Sequence, residues 1–206
     1  MKSANLGYAP ANSCLSSYYS SGKDGFENDP DESYFRASVA IALNSTFFQA
    51  AFRLGLSHNC QDLPEPSPYL ACYYLNVAAN GDDDGSACLG YSQALAELCK
   101  HLHDGSIAIP GSEVMPAAFF WLRQSRDLGR CSDAVNLLKQ WETSLQSSCA
   151  NCGKDALADE KFKQCSKCKS QWYCSKECQV EAWKSGHKKD CKRARILKFE
   201  DYLNAD

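Results

Sequence analysis

Seven cysteines and one histidine lie between Cys149 and Cys191 of this 206-residue chain, in four close pairs. They run Cys149-x2-Cys152, Cys165-x2-Cys168, Cys174-x3-Cys178 and His187-x3-Cys191. Thiolates and imidazoles are the ligands of structural zinc, and four of them close one tetrahedron. Eight within 43 residues therefore call for two ions. An x2 spacing suits a tight knuckle turn. An x3 spacing places both members on one helical face, which predicts helix under Cys174 and Cys178 and under His187 and Cys191.

The other candidate nucleophiles point elsewhere. Of 13 cysteines, Cys14, Cys60, Cys72, Cys88, Cys99 and Cys131 fall outside the cluster. The opening residues, Met-Lys-Ser-Ala-Asn-Leu-Gly-Tyr, contain no apolar signal core, and no apolar run reaches the roughly 18 residues of a membrane span. The expected location is intracellular, cytoplasmic and/or nuclear, with no membrane partner and with free or metal-bound thiols rather than disulfides. Cys99 with His101 and His103 lies at a helix end, and His58-Asn59-Cys60 runs into a loop. Neither makes a nucleophile–base pair, and no Gly-rich cofactor loop is present, so no catalytic residue and no organic cofactor are expected.

Charge is unevenly placed. Residues 1–148 carry 9 Lys+Arg against 16 Asp+Glu, residues 149–198 carry 13 against 6, and the last eight residues add three acids. Two Zn²⁺ ions with seven thiolates contribute a net −3, so part of the lysine excess offsets the metal-bound sulfurs. What remains, at Lys184, Lys188, Lys189, Lys192, Arg193 and Arg195, reads as a solvated helix face. The acidic N-terminal part would repel phosphate, and nucleic acid is not expected as the partner.

The elements that must carry this cluster are mostly helices. Residues 1–32, rich in Ser, Gly and Asn with Tyr8, Tyr18 and Tyr19, lack an apolar period and read as a flexible arm. From Ser33 to Gly55, Phe35, Val39, Ala42, Leu43, Phe47, Ala50, Ala51 and Leu54 follow a core-facing helical stripe, with Gly55 as a local break. The prolines of Leu63-Pro64-Glu65-Pro66-Ser67-Pro68 require a loop. Further helices are predicted over about 69–79, 87–103, 115–128 and 132–145, with a loop around Gly105, Pro110 and Gly111. Lys192–Asn204 reads as a terminal helix. The expected fold is mainly α: a helical domain over 33–146, a zinc module over 149–191 and a helical tail over 192–206.

Two resemblances follow. Ala71-x2-Tyr74-Leu75-x2-Ala78-Ala79 and Ala118-x2-Trp121-Leu122-x2-Ser125 lie 47 residues apart and alternate small residues with an aromatic. Ala50-x3-Leu54-Gly55 and Ala87-x-Leu89-Gly90-Tyr91 look like their first helices. The pattern resembles degenerate Sel-one-like, tetratricopeptide-like repeats, against an unrelated helical bundle; both are all-α. The metal-ligand spacing, with Gln171-Trp172-Tyr173-Cys174 and Cys178-Gln179-Val180-Glu181-Ala182-Trp183, resembles the MYND zinc fingers.

That second resemblance implies interleaved pairs: Cys149, Cys152, Cys174 and Cys178 on one zinc, and Cys165, Cys168, His187 and Cys191 on the other. Sequential pairing, first four and last four, is open to spacing alone. Interleaving closes both tetrahedra and makes one all-thiolate, a poor Lewis acid, so both zincs are expected to be structural. The resemblance further implies an interaction adaptor rather than an enzyme. Members bind Pro-x-Leu-x-Pro-like segments through a Gln and a Trp, here Gln179 and Trp183, which share a helix face at i and i+4. The helical repeats would offer a second docking surface. A lysine methyltransferase of the SET and MYND type would need catalytic β-rich sequence on both sides of the finger, and the N-terminal part here is helical. Helical repeats with a C-terminal MYND finger also resemble some plant F-box proteins. No F-box-like leucine- and proline-bearing helix pair is recognisable before the repeats, so that likeness does not carry a ubiquitin-ligase role.

Overall fold

The structure, a computed structural model, describes residues 2–60, 65–81, 83–103, 113–129 and 132–204. Leu63, Pro64, the loop around Gly105, Pro110 and Gly111, Cys131 and the side chain of His103 lie outside the described residues. The fold is mainly α, as expected, and the chain divides into two compact units, Met1–Asp83 and Asp84–Asp206.

The first unit begins with α1 (Lys2–Asn5) and α2 (Ala9–Ser21), where a flexible arm was expected. Helix α2 packs on α3 (Pro30–Leu43) through small polar residues. The Ser33 hydroxyl donates to the Ser16 carbonyl at 2.9 Å, and the buried Asn12 amide donates to the Ala4 carbonyl at 3.2 Å. Serine and asparagine at the contact positions let the helices approach closely while satisfying their own polar groups. They leave no apolar period to read.

Helix α3 starts under an Asp29 cap that accepts from the Glu32 N–H at 3.0 Å, with Pro30 in its first turn. It stops at Leu43, and Asn44 accepts from the Thr46 N–H and hydroxyl before α4 (Phe48–Asn59) begins. The single helical stretch expected over 33–55 is thus two helices. Its stripe is also displaced in α3: Phe35 and Leu43 are exposed, whereas Ala37 and Ala40 are fully buried with Ala50 and Leu54. Close packing selected the alanine face rather than the bulky one.

Gly55 is not a break. It lies within α4, and a Cβ there would stand 2.5 Å from the Leu75 Cγ of α5 (Pro68–Ala79). Helix α5 starts where the proline loop ends, with Ser67 capping the Leu70 N–H at 3.3 Å and Pro68 at the first position. Its small and aliphatic face, Ala71, Leu75 and Ala78, is fully buried. His58 sits in the last turn of α4, which ends at Asn59 before Cys60. Its Nε2 is 3.2 Å from the Tyr34 hydroxyl, its Nδ1 accepts from the Ser67 N–H at 3.4 Å, and its ring stacks on Tyr74.

The second unit pairs α6 (Ser86–His103) with α7 (Met115–Leu128), and α7 with α8 (Ser132–Leu145). Buried serines again tie neighbours: Ser92 donates to the Ala118 carbonyl at 2.8 Å and Ser125 to the Gly85 carbonyl at 2.7 Å. A two-stranded antiparallel hairpin follows, β1 (Lys163–Gln164) with β2 (Trp172–Tyr173), Lys163 facing Tyr173. Then come α9 (Lys176–Ala182), a π turn (Trp183–His187), α10 (Lys188–Arg193) and α11 (Phe199–Leu203). The expected helix over 192–204 is therefore split. Phe199 packs on Tyr91 of α6, and the Arg193 guanidinium donates to the Tyr202 carbonyl.

Gly55→Ala should destabilise the chain by about 1–3 kcal/mol, because overpacking at Leu75 outweighs the ~1 kcal/mol gained in helix propensity. Denaturant unfolding of the variant checks this, and unchanged or raised stability would contradict the close α4–α5 contact. Burial holds the His58 pKa below its ordinary value. A depressed histidine stabilises the fold above its unfolded pKa, about 6.5, and that contribution is lost as pH falls through the folded value. An NMR titration of the imidazole should place its midpoint below 6.5.

Candidate metal centres

The eight predicted ligands converge in two groups. Cys149, Cys152, Cys174 and Cys178 form one, and Cys165, Cys168, His187 and Cys191 the other; within each, the ligand atoms all lie within 4.8 Å. The pairs are interleaved, not sequential. In the first group the Cys174 sulfur is 3.7 Å from that of Cys152 and 3.5 Å from that of Cys178. In the second, the His187 Nε2 is 3.4 Å from the Cys165 sulfur and 3.6 Å from the Cys168 sulfur.

These distances test the metal. With Zn–S near 2.3 Å and Zn–N near 2.0–2.1 Å, a tetrahedron has S···S edges of about 3.8 Å and S···N edges of about 3.6 Å. The observed edges fit two zinc ions. Four protein ligands complete each tetrahedron, and the second group is buried throughout. The ions act structurally: metal-binding energy becomes folding energy for the segment that supplies the ligands.

Local structure aims each pair. The first knuckle closes with the Gly153 N–H on the Cys149 carbonyl at 2.9 Å, Gly153 taking a positive φ of 69°. The second closes with the Lys169 N–H on the Cys165 carbonyl at 2.9 Å, and Lys169 takes φ 52° without being glycine. Ser170 donates to the Cys168 sulfur at 3.2 Å, a contact suited to a thiolate. Cys174 leaves the end of β2, and Ser175 caps α9 by accepting from the Cys178 N–H at 3.2 Å. The expected shared helical face is therefore absent for Cys174 and Cys178. For His187 and Cys191 the helix is present, His187 being the residue that precedes α10.

The centres are built into the second unit's core. Phe119, Leu122, Ala134 and Leu138 of α7 and α8 are buried in one cluster with Cys149, Cys165, Trp172 and Tyr173. Phe119 meets Trp172 ring to ring at 6.2 Å and Trp141 at 5.4 Å. Arg123 of α7, lying over the Phe119 ring, donates to the Cys168 carbonyl at 2.9 Å and to the next carbonyl, Lys169, and pairs with Glu142 of α8 at 3.3 Å. It thus clamps the second knuckle at the residue with positive φ. No sequence signal marks it, since it lies 45 residues from Cys168.

The remaining predicted residues are distributed as follows. Gln179 and Trp183 lie on α9 and at the start of the π turn, both half-buried. The Trp183 ring meets His187 edge-on at 5.8 Å, and the Lys167 Nζ stands 5.2 Å from its centroid. Of the basic residues at the module's end, Lys184, Lys188, Lys189, Lys192 and Arg195 are exposed but Arg193 is buried. Cys99 is a buried thiol. It donates to Glu113 at 3.3 Å, and burial, followed by the Glu113 charge, pushes its pKa up to about 12, which removes thiolate character. The His101 Nε2 lies 3.9 Å from a Glu97 carboxylate oxygen. Asp190, next to a ligand, is raised to about 6 by burial and then by Glu113.

Residues 149–191 match the family model of the MYND finger. With the paired geometry above, this segment is a MYND-type zinc finger, a zinc-binding protein-interaction domain. Among curated proteins, the chain is 28% identical to the F-box protein At1g67340 of Arabidopsis thaliana over 92% of its own length and 53% of that protein. It is also 28% identical to the F-box protein At5g50450 of the same plant, over 92% of this chain and 54% of that one. A 49-residue stretch, 24% of this chain, is 49% identical to 6% of the Arabidopsis ubiquitin carboxyl-terminal hydrolase 19. The chain spans about half the length of the F-box proteins it matches. No solved structure matches.

Arg123→Ala should leave two zincs bound at equilibrium but weaken retention at the second centre by about tenfold, the lower end for losing an outer partner of a metal ligand. Release into a chromogenic chelator checks this, and a rate equal to the wild type would show that the clamp is dispensable.

Proposed function

We propose that the chain is a protein-interaction adaptor whose zinc finger binds proline-containing segments through Gln179 and Trp183. The observation that carries this reading is the half-exposed indole beside an amide on one side of a metal-rigidified helix. An extended proline-rich segment is ordered before it binds, and a flat aromatic wall beside a hydrogen-bonding amide complements it at low entropic cost. The Trp183 contact with His187 supports the wall: the ring is braced against a zinc ligand along one edge.

The helices are proposed to be degenerate Sel-one-like repeats offering a second docking surface. The correspondence of Ala71, Leu75 and Ala78 with Ala118, Leu122 and Ser125, all fully buried, supports a repeated helix-packing unit. The relatives support a recognition role for the finger. Similar segments occur in proteins named for F-boxes and in one named a ubiquitin hydrolase, so the finger accompanies different activities. We extend this to a non-enzymatic recruiter working inside the cell, in cytoplasm or nucleus. No described helix is long and apolar enough to cross a membrane.

A proline-rich peptide array should retain the wild-type chain and lose most binding to Trp183→Ala while native mass spectrometry still counts two zincs. Equal binding by the variant would refute the groove.

A further inference from the structure

The charges around the Gln179–Trp183 face narrow the partner's chemistry, an inference that rests on the groove reading above. Lys176, Gln179, Val180 and Trp183 follow at i, i+3, i+4 and i+7, so they form one stripe along α9 into the π turn. Val180 is 43% exposed, an apolar side chain with solvent over it. From the Cys165–Cys168 knuckle, exposed Lys167 holds its Nζ over the Trp183 ring. The stripe therefore presents an indole and a valine bordered by two ammonium groups.

The carboxylates of the same helix are turned to other work. Glu181 accepts from the Asn151 amide at 2.9 Å. Glu177, in the first turn, is held first by its own N–H and by Ser175 and more weakly by the charges of Lys176 and Lys163, and its carboxyl lies below its ordinary range. Among the described residues, no carboxylate forms an ion pair with Lys167 or Lys176. Around them, residues 149–198 carry 13 Lys+Arg against 6 Asp+Glu. A segment laid along the stripe must pass Lys167 at the indole. A lysine or arginine there is repelled, whereas an aspartate or glutamate meets an ammonium already partly shielded from water by the ring.

We propose that this face takes an acidic proline-containing segment: an extended chain whose prolines lie against Trp183 and Val180 and whose Asp or Glu side chains pair with Lys167 and Lys176. A peptide is favoured over a nucleic acid because the stripe offers one ring, one amide and one aliphatic side chain. That is a surface for prolines, not a series of stacking platforms for bases.

The test uses the full zinc-loaded chain and fluorescein-labelled peptides sharing one Pro-x-Leu-x-Pro core, flanked by Asp, Ser or Lys. Anisotropy titration at low salt should rank them Asp over Ser over Lys, with about tenfold between the extremes, converging at high salt. Lys167→Glu should remove most of the preference for Asp over Lys while two zincs are retained, and an unchanged ranking would overturn the pairing with Lys167. If all three peptides bind alike and Trp183→Ala abolishes all of them, the charge inference falls and the groove stands. If none binds in a Trp183-dependent way, the groove itself fails and the inference with it. Displacement of the Asp-flanked peptide by a single-stranded oligonucleotide that binds tighter would overturn the peptide assignment.

Discussion

Two interleaved zinc tetrahedra are the constraint on which the second unit depends. Each ion joins a knuckle to a pair far from it in sequence, Cys149 and Cys152 to Cys174 and Cys178, and Cys165 and Cys168 to His187 and Cys191. The hairpin that carries the second knuckle between its strands, and the helices after it, must therefore thread around both ions. A segment with so few large apolar side chains cannot order itself by burial alone. Metal coordination supplies what its small core lacks, and the ions thereby hold the fold of the segment that ligates them.

The finger is nevertheless not a separate bead. Its hairpin tryptophan and its buried cysteines share a cluster with Phe119, Leu122, Ala134 and Leu138, and Arg123 caps the carbonyls of the second knuckle. Guanidinium is suited to this task, since its planar fork serves two carbonyls and the Glu142 carboxylate together and remains charged when half-buried. Zinc and helices are thus coupled. One face of the finger is packed against α7 and α8, and Lys176 and Val180 of α9 face solvent.

Elsewhere in the second unit, and through the first, helices are brought together by what is small. Ala37, Ala40, Ala50, Gly55, Ala71 and Ala118 occupy contact positions, and serines at 16, 33, 92 and 125 bond across to neighbouring backbone or side chains. Larger residues such as Phe35 and Leu43 end up outside. This packing explains both the successes and the failures of periodicity. Helices α4, α5 and α7 bury the apolar stripes their sequences display. Helix α2 does not display one, because polar Asn12, Ser13 and Ser16 are buried beside Ala9 and Leu15.

By itself, the order of residues determined that eight ligands would bind two zincs, that the chain would be mainly helical, and that helices would run over about 69–79 and 132–145. Those outcomes depend on neighbours along the chain: knuckle spacing, capping and the fixed φ of proline act within a few residues. Tertiary structure alone decided that α2 is ordered, that Gly55 is a contact and not a break, that Cys174 stands off the helix, and that Arg123 clamps a knuckle 45 residues away. It also separated the pairing that spacing left open. Each of these depends on which surfaces meet, and close approach between distant segments is set by the whole packing arrangement, which no local pattern encodes.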